Sequence, residues 1–281
     1  MLNNLKALIQ YLLPKQLLTQ FFGCLASKHL GVVTTWMIKG FAKLYKVNMH
    51  EASEKNPEKY RTFNDFFARQ LAQNMRPIAE DEKAVVMPAD GMISQFGRIE
   101  AGHLIQAKGH TYSLASLLAC NTPMVDALQN GHYMTTYLSP RDYHRVHMPC
   151  DGILREMIYV PGSLFSVNQA TTATIPNIFA RNERVICYFE TEYGPMVQVL
   201  VGATIVGSIE VSWQGVVTPP RDGVLKSWQY EDVRLAKGDD MGCFKLGSTV
   251  ITLFAENSMT FADKIEVGMQ TRVGQAFGVR I

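Results

Sequence analysis

The first 60 residues contain no arginine, and the first 50 contain no aspartate or glutamate. The lack of arginine argues against a mitochondrial transit peptide, which is Arg-rich, and against a nucleic-acid arm. No apolar run approaches the 18 or so residues that a membrane-spanning helix needs. Gln10, Pro14, Lys15 and Gln16 interrupt the apolar core that a signal peptide would require, and the same break weakens Gly23-Cys24 as a lipoprotein site. The five cysteines (Cys24, Cys120, Cys150, Cys187, Cys243) are widely spaced and form no C-x-x-C pair. That pattern excludes a disulfide framework and a zinc knuckle, and it reads as a reduced, cytosolic chain. No G-x-G-x-x-G follows a strand pattern and there is no P-loop, so nucleotide-binding folds of those types are excluded.

What is present is an uneven charge. Residues 1–50 hold six lysines: Lys6, Lys15, Lys28, Lys39, Lys43 and Lys46. The rest of the chain has 21 basic and 25 acidic side chains, so a formal net charge of +2 hides a basic head on a mildly acidic body. Such asymmetry points to an anionic partner, a membrane or a nucleic acid. With 47% hydrophobic and 19% charged residues the chain is globular, not disordered. The reading divides it into a head, residues 1–60, and a catalytic body, residues 61–281.

Three helical patterns occupy the head. Leu2, Leu5, Leu8, Ile9, Leu12 and Leu13 share one face, and Pro14 ends that run. Leu17, Leu18, Phe21, Phe22 and Leu25 form a second apolar face, and Val33, Trp36, Met37, Phe41, Leu44 and Tyr45 a third. Lys39, Lys43 and Lys46 line another side of the third helix. Two readings fit. The head is either a helical cap with solvated lysines or an amphipathic membrane-associating region whose lysines meet anionic lipid. Each lysine near such a surface contributes up to ~1 kcal/mol. Nucleic acid is disfavoured, because the aromatics accompany the aliphatics and do not alternate with charge. Residues 51–60 are a polar connector. Thr62-Phe63-Asn64-Asp65 then resembles a capping box and predicts a short helix over Phe63–Leu71.

From about residue 84 the pattern is β. Strands are expected over Ala84–Met87, Met92–Phe96, Tyr133–Leu138, Ile153–Val160, Val185–Phe189, Met196–Ile205, Ser208–Trp213 and Val250–Phe254, with a helix over Asn121–Gln129. The fold class is therefore α+β: a mainly antiparallel or mixed β body, barrel or sandwich, behind an N-terminal amphipathic helical region.

The densest polar segment runs from Tyr137 to Pro149 and holds Asp142, His144, His147 and two arginines. A metal site would need ligands beyond His144, His147 and Asp142, and no further cluster supplies them, so no metal is expected. Ala89-Asp90-Gly91 and Leu246-Gly247-Ser248-Thr249 add an Asp and a Ser. Asp, His and Ser are the parts of a nucleophilic triad: a base for the hydroxyl and a carboxylate for the imidazole.

These segments in this order resemble the phosphatidylserine decarboxylases, pyruvoyl enzymes made from self-cleaving precursors. The likeness runs from Phe63-Asn64-Asp65-Phe66-Phe67 and Arg69 through Arg76-Pro77 and Pro88-Ala89-Asp90-Gly91. It continues in Tyr143-His144-Arg145-Val146-His147, Gly162-Ser163-Leu164-Phe165-Ser166-Val167-Asn168, Asn182-Glu183-Arg184-Val185 and Leu246-Gly247-Ser248-Thr249.

The resemblance implies that Asp90, His147 and Ser248 form a charge relay in which Ser248 attacks the Gly247 carbonyl. Elimination and hydrolysis would then leave a large chain, 1–247, and a small chain, 248–281, whose Ser248 has become a covalent pyruvoyl cofactor. The pyruvoyl would form a Schiff base with phosphatidylserine, and carbon dioxide loss would yield phosphatidylethanolamine. His144 is implied in substrate positioning or in protonation during decarboxylation, with Tyr137 and Tyr143 as weaker candidates for the same pocket. The implied setting is the cytoplasmic side of a bacterial inner membrane, bound peripherally to anionic phospholipid, with no nucleic-acid partner, and it is compatible with a homodimer. An ordinary serine hydrolase using Asp90, His147 and Ser248 without self-processing is the competing enzyme reading. A membrane-binding β module is the non-enzymatic one.

Overall fold

The structure is a computed structural model describing residues 10–11, 14–107, 109–204, 208–218, 222–245 and 248–281, the last beginning with the backbone of Ser248. The first helical pattern, Leu2 to Leu13, falls outside the described residues except for Gln10 and Tyr11, which are helical. The second and third patterns form helices α1 (Lys15–Ser27) and α2 (Val32–Tyr45). Gly31, at φ +57°, makes the turn between them, a backbone conformation that glycine adopts without a Cβ clash.

Helix α3 (Phe63–Phe67) starts on a capping box. The Thr62 hydroxyl accepts the Asp65 N–H at 3.1 Å, and the Asp65 carboxylate accepts the Thr62 N–H at 3.0 Å. It stops short of the expected Leu71. The chain leaves the helix at Ala68 so that Leu71 can bridge to Ala52 and the Ala72 N–H can reach the Glu51 carbonyl. Phe63, Phe66 and Phe67 of α3 join Ala26 and Ile38 in a small core, with Met37, Phe41 and Tyr60 packed against it. The head is thus fastened to the start of the body by an aromatic cluster in which Phe41 meets Phe63, Phe66 and Phe67 edge to face.

The body is built on antiparallel ladders. Its central strands are β1 (Gly91–Arg98), β2 (His132–Leu138), β3 (Arg145–His147), β4 (Gly152–Val160), β5 (Arg184–Thr191), β6 (Gly194–Val201), β7 (Ser208–Val211), β8 (Asp240–Lys245) and β9 (Ser248–Phe254). A nine-stranded sheet runs in the order 226–229, β4, β5, β6, β9, β2, β1, 270–271, with 234–235 also paired to β4. A four-stranded sheet runs 215–216, β7, β8, β3. The large sheet keeps two open edges, so the architecture is sandwich-like and not the closed barrel that the sequence also allowed. Among the described residues the only parallel pairing is the single bridge Ser163–Asn182.

The apolar runs explain the middle of the sheet. Val197, Val199, Leu200 and Val201 of β6 and Val250, Ile251 and Leu253 of β9 are all fully buried, as expected of strands covered on both faces. The Asn121–Gln129 pattern is a helix over Thr122–Leu128, capped by Asn121. Several strands were not expected from the sequence, among them β3 and β8 of the small sheet, the hairpin His103–Ala107 with His110–Ser113, and the strand Ala276–Arg280 paired to Ala84–Val86.

Candidate active site

Three stretches of chain cross between the two sheets at one place. β2 ends at Leu138 and β3 begins at Arg145; β6 ends at Val201 and β7 begins at Ser208; β8 ends at Lys245 and β9 begins at Ser248. The registers line them up. In the large sheet Ser248 pairs with Leu138, and Thr249 pairs with Val201 and Tyr137. In the small sheet Cys243 pairs with Arg145, and Lys245 with Ser208. The crossing that contains Gly247-Ser248 is therefore the middle one of three, and Ser248 is the first residue of the strand it enters.

One flanking crossing, Ser139–His144, carries much of the polar cluster. Asp142 shapes it as a tight turn: its carboxylate accepts the Ser139 N–H and hydroxyl, both at 2.7 Å, and its own N–H bonds the Ser139 carbonyl at 2.9 Å. The carboxylate weighed above as a metal ligand is thus spent on the loop. Burial raises its pKa, opposed by those Ser139 bonds.

His144 is fully buried and stacks on Phe67 of α3 with ring centroids 4.0 Å apart. Its Nε2–H donates to the Ser139 carbonyl at 3.0 Å, so the neutral ring presents Nδ1 as a bare acceptor, and that atom has no partner. Burial, with the charge of Arg69, pushes His144 down to about 3. The ring is therefore neutral near pH 7, with its one N–H committed.

His147 is half-buried in β3 and fixed by its backbone: its N–H bonds the Pro88 carbonyl at 2.8 Å, and Gln198 donates to its carbonyl at 3.2 Å. Its Nδ1–H donates to the Gly238 carbonyl at 2.8 Å, which leaves Nε2 to accept the Tyr143 hydroxyl at 3.1 Å. The tautomer a general base needs is present, but a backbone carbonyl sets it.

Asp90 lies at the turn before β1 and is buried. Its carboxylate accepts Arg76 Nε at 2.9 and 3.0 Å and the Val273 N–H at 2.9 Å. Arg76 also reaches Glu51 in the head connector at 2.7 Å. Burial alone would lower Arg76, yet the bonds and charge of Asp90, then of Glu51, hold its pKa above the ordinary value. Gly91 lets β1 approach β2 closely, since a Cβ there would lie 2.3 Å from the Tyr137 carbonyl oxygen.

Of the residues singled out in the sequence, Asp90, Tyr143 and His147 gather around Arg76: Arg76, Asp90 and Tyr143 line one cavity, and Arg76, Tyr143 and His147 line the next. Register brings the Ser248 backbone beside Leu138, next to the His144 loop. No hydrogen bond joins Asp90 to His147 among the described residues; each has a different partner. Tyr137 is half-buried on β2, opposite Thr249. Sequence reasoning gave no role to Arg76, although Arg76-Pro77 was part of the likeness. Gly238 could not have been found, because it acts through a backbone carbonyl that any residue type would carry.

Comparison with known proteins bears on this site. A sequence model described as phosphatidylserine decarboxylase matches residues 63–279, and one described as PSD matches residues 5–46. Proteins named phosphatidylserine decarboxylase proenzyme from Yersinia pestis (strain Pestoides F) and Yersinia pseudotuberculosis (serotype O:1b, strain IP 31758) are each 57% identical to this chain. Each match covers 98% of this chain and 96% of the relative. The chain belongs to the phosphatidylserine decarboxylase family. The likeness extends through the basic head as well as the body, since the matches to those relatives cover 98% of this chain. The motif Asn182-Glu183-Arg184 also gains a physical reason. The Asn182 side chain bonds the Phe165 N–H and carbonyl and the Gly202 carbonyl, tying the Gly162–Asn168 segment to the second flanking crossing. The Arg184 guanidinium donates to the carbonyls of Ser116, Leu117, Ala180 and Asn182.

Proposed function

We propose that this chain cleaves itself between Gly247 and Ser248 and then decarboxylates phosphatidylserine to phosphatidylethanolamine. The observation that carries the reading is the position of Ser248: it opens the central strand of the large sheet, directly after the middle crossing, with the His144 loop alongside.

In the first reaction Ser248 Oγ attacks the Gly247 carbonyl and His147 Nε2 takes the proton. Nε2 is the right atom, because Nδ1–H is held by Gly238. The Tyr143 hydroxyl now sits on Nε2, so the proton passes through Tyr143 or Tyr143 turns aside. Asp90 belongs to the cleavage set by family likeness. It must release Arg76 before it can bear on His147, so the relay forms by side-chain rearrangement. The ester that results breaks by elimination, and hydrolysis of the new end gives the pyruvoyl group at residue 248. The site suits such an end: residue 248 is held in a ladder beside Leu138, and the buried His144 Nδ1 nearby has no partner.

That group supplies a ketone that condenses with the substrate amine and accepts the electron pair left when carbon dioxide departs. His144 then acts as a neutral acceptor that orients the reacting headgroup, and it is not a stored proton. Burial raises the pKa of Tyr143 and Tyr137, which keeps both hydroxyls protonated donors.

We further infer that the head, residues 1–60, holds the enzyme on an anionic membrane surface. Among the described residues no helix is long and apolar enough to cross a membrane. Yet α1 and α2 expose Leu17, Phe21, Val33, Trp36 and Leu44, with Trp36 and Leu44 about three-quarters accessible (74% and 73%). An apolar cavity of about 360 Å³ opens between Phe22, Leu25, Met37, Phe41, Leu44 and Phe63. Lys39 is neutralised by Glu58 at 2.9 Å, and Lys15 packs over Phe165, which leaves Lys28, Lys43 and Lys46, of the described lysines up to residue 50, for the lipid. This is a peripheral arrangement on the cytoplasmic face, with phosphatidylserine both part of the surface and the substrate.

Intact mass tests the proposal. Two chains, 1–247 and 248–281, with a blocked end on the smaller, and carbon dioxide released from phosphatidylserine are expected; Ser248→Ala stays whole and inactive. A single 31.5 kDa species with esterase activity would establish the serine-hydrolase reading instead.

A further inference from the structure

Arg69 lies at the end of the Phe63–Phe67 motif, and in the reactions described above it enters only through its charge, which adds to burial in keeping His144 neutral. It is only 5% exposed. Its Nε and Nη1 have no hydrogen-bond partner, and its Nη2 makes only long contacts, 3.4 Å each, to the carbonyls of Arg141 and Asp142. Its guanidinium carbon lies 5.5 Å from the Phe66 ring centroid, over the ring, a contact that satisfies no N–H donor. A buried guanidinium without a carboxylate costs several kcal/mol in an isolated fold. Burial accordingly pushes its pKa down.

Arg69 lines a cavity of about 290 Å³ whose walls carry five cations and three carboxylates. The carboxylates are engaged elsewhere. Asp90 and Glu51 hold Arg76, Glu51 also lies 3.6 Å from Arg272, and Asp142 lies 3.7 Å from Arg141. The surplus charge rests on Arg69 and on Lys46, which ends α2 and has no ion pair among the described residues. The cavity therefore runs from the lipid-facing head to the loop that flanks Ser248, and it wants an anion.

We propose that Arg69 binds the phosphodiester of the lipid substrate. This rests on the reading of the chain as a phosphatidylserine decarboxylase. The substrate carries two anions, and the chemistry selects between them. The carboxylate loses its charge as carbon dioxide leaves, so a guanidinium clamped on it would stabilise the ground state over the transition state. The phosphodiester keeps its charge throughout, and binding it lowers KM without raising the barrier. It also lies between the acyl-glycerol and the reacting serine, as this cavity lies between the head and residue 248.

The test compares wild type with Arg69→Met and Arg69→Lys. The probe is dihexanoyl phosphatidylglycerol, which has a phosphodiester but no amine or carboxylate, titrated calorimetrically. R69M is expected to bind it at least tenfold more weakly, with R69K between R69M and wild type. With phosphatidylserine in mixed micelles, R69M is expected to raise KM at least tenfold and to keep kcat within about threefold. Its melting temperature should not fall, because an unpaired buried charge is being replaced by a side chain of similar length. Unchanged affinity for the probe in R69M overturns the assignment, and so does a loss of kcat at constant KM. If R69M does not fold, equal probe affinity in R69K and wild type overturns it. Failure of wild type to release carbon dioxide refutes the proposed function instead, and the probe titration still decides whether Arg69 holds a phosphodiester.

Discussion

His144→Gln, made in a Ser248→Ala background that keeps the protein one chain, isolates the proton linkage of a fully buried imidazole. The folded state holds His144 down at about 3, through burial and then the charge of Arg69, against an ordinary value of 6.5. Between those values the unfolded chain binds a proton that the folded chain refuses. Stability therefore rises with pH in that window and is lost as pH falls through it, by about 1.4 kcal/mol per pH unit. Glutamine keeps a donor where Nε2 meets the Ser139 carbonyl, but it does not titrate. It also gives up the ring stack on Phe67, an offset of about 1 kcal/mol that does not depend on pH. In urea unfolding followed by fluorescence, lowering the pH from about 6 to about 4.5 should cost the protein that retains His144 roughly 2 kcal/mol more than the H144Q variant. Glu51, held low by Arg76 against its own burial, and Asp142, raised by burial, pull in opposite directions over this range. Both are common to the two proteins, so the difference between them cancels these terms. Parallel curves would refute the argument, because they would mean that His144 can charge in place and store a proton after all.

Further expectations concern the scaffold and the surface. Gly91→Ala drives a Cβ into the Tyr137 carbonyl, so it should cost about 1–3 kcal/mol and slow self-cleavage by shifting Asp90; normal stability and normal cleavage would contradict the close packing of β1 on β2. Asn182→Ala removes three buried bonds to the Phe165 and Gly202 backbone, and a loss of about 3 kcal/mol or more in urea unfolding is expected. Trp36→Ala with Leu44→Ala should weaken sedimentation with anionic vesicles by about tenfold or more while leaving the melting temperature in place, since both side chains are exposed.

Much of the β body was legible because buried central strands need long apolar runs. The runs in β2, β4, β5, β6 and β9 reappear within a few residues of the observed ends. Their order in the sheet was not legible, because β9 finds β2 and β6 across long stretches of chain. The hairpin His103–Ser113 escaped notice because its burial contradicts its hydropathy: Ile105 is exposed, while Gln106 is fully buried and donates to the carbonyls of Thr172 and Ile175. The chemistry divides the same way. Residue types and motifs named Asp90, His144, His147 and Ser248. The partners of the described side chains, Arg76 for Asp90 and Gly238 for His147, depend on contacts across the fold that no local pattern encodes.

The same long-range pairing bears on what the proposed cleavage would do to the molecule. Cutting between Gly247 and Ser248 breaks the chain at the mouth of β9, yet β9 stays in a ladder with β2 on one side and β6 on the other. The rest of the small chain is also woven in: Gln270–Thr271 pairs with β1, and Ala276–Arg280 pairs with Ala84–Val86. Its Val273 N–H is one of the donors that hold Asp90, and its Thr271 hydroxyl bonds the Ala89 carbonyl at 2.9 Å. Val250, Ile251 and Leu253 alone bury three large aliphatic side chains, worth roughly 1.5–3 kcal/mol each. Loss of the small chain would therefore open the large sheet along its middle and unseat Asp90. The two chains should co-elute on gel filtration without denaturant and separate only in sodium dodecyl sulfate or concentrated urea. A small chain that exchanges freely with added peptide 248–281 under native conditions would show that the central ladder does not hold the cleaved enzyme together.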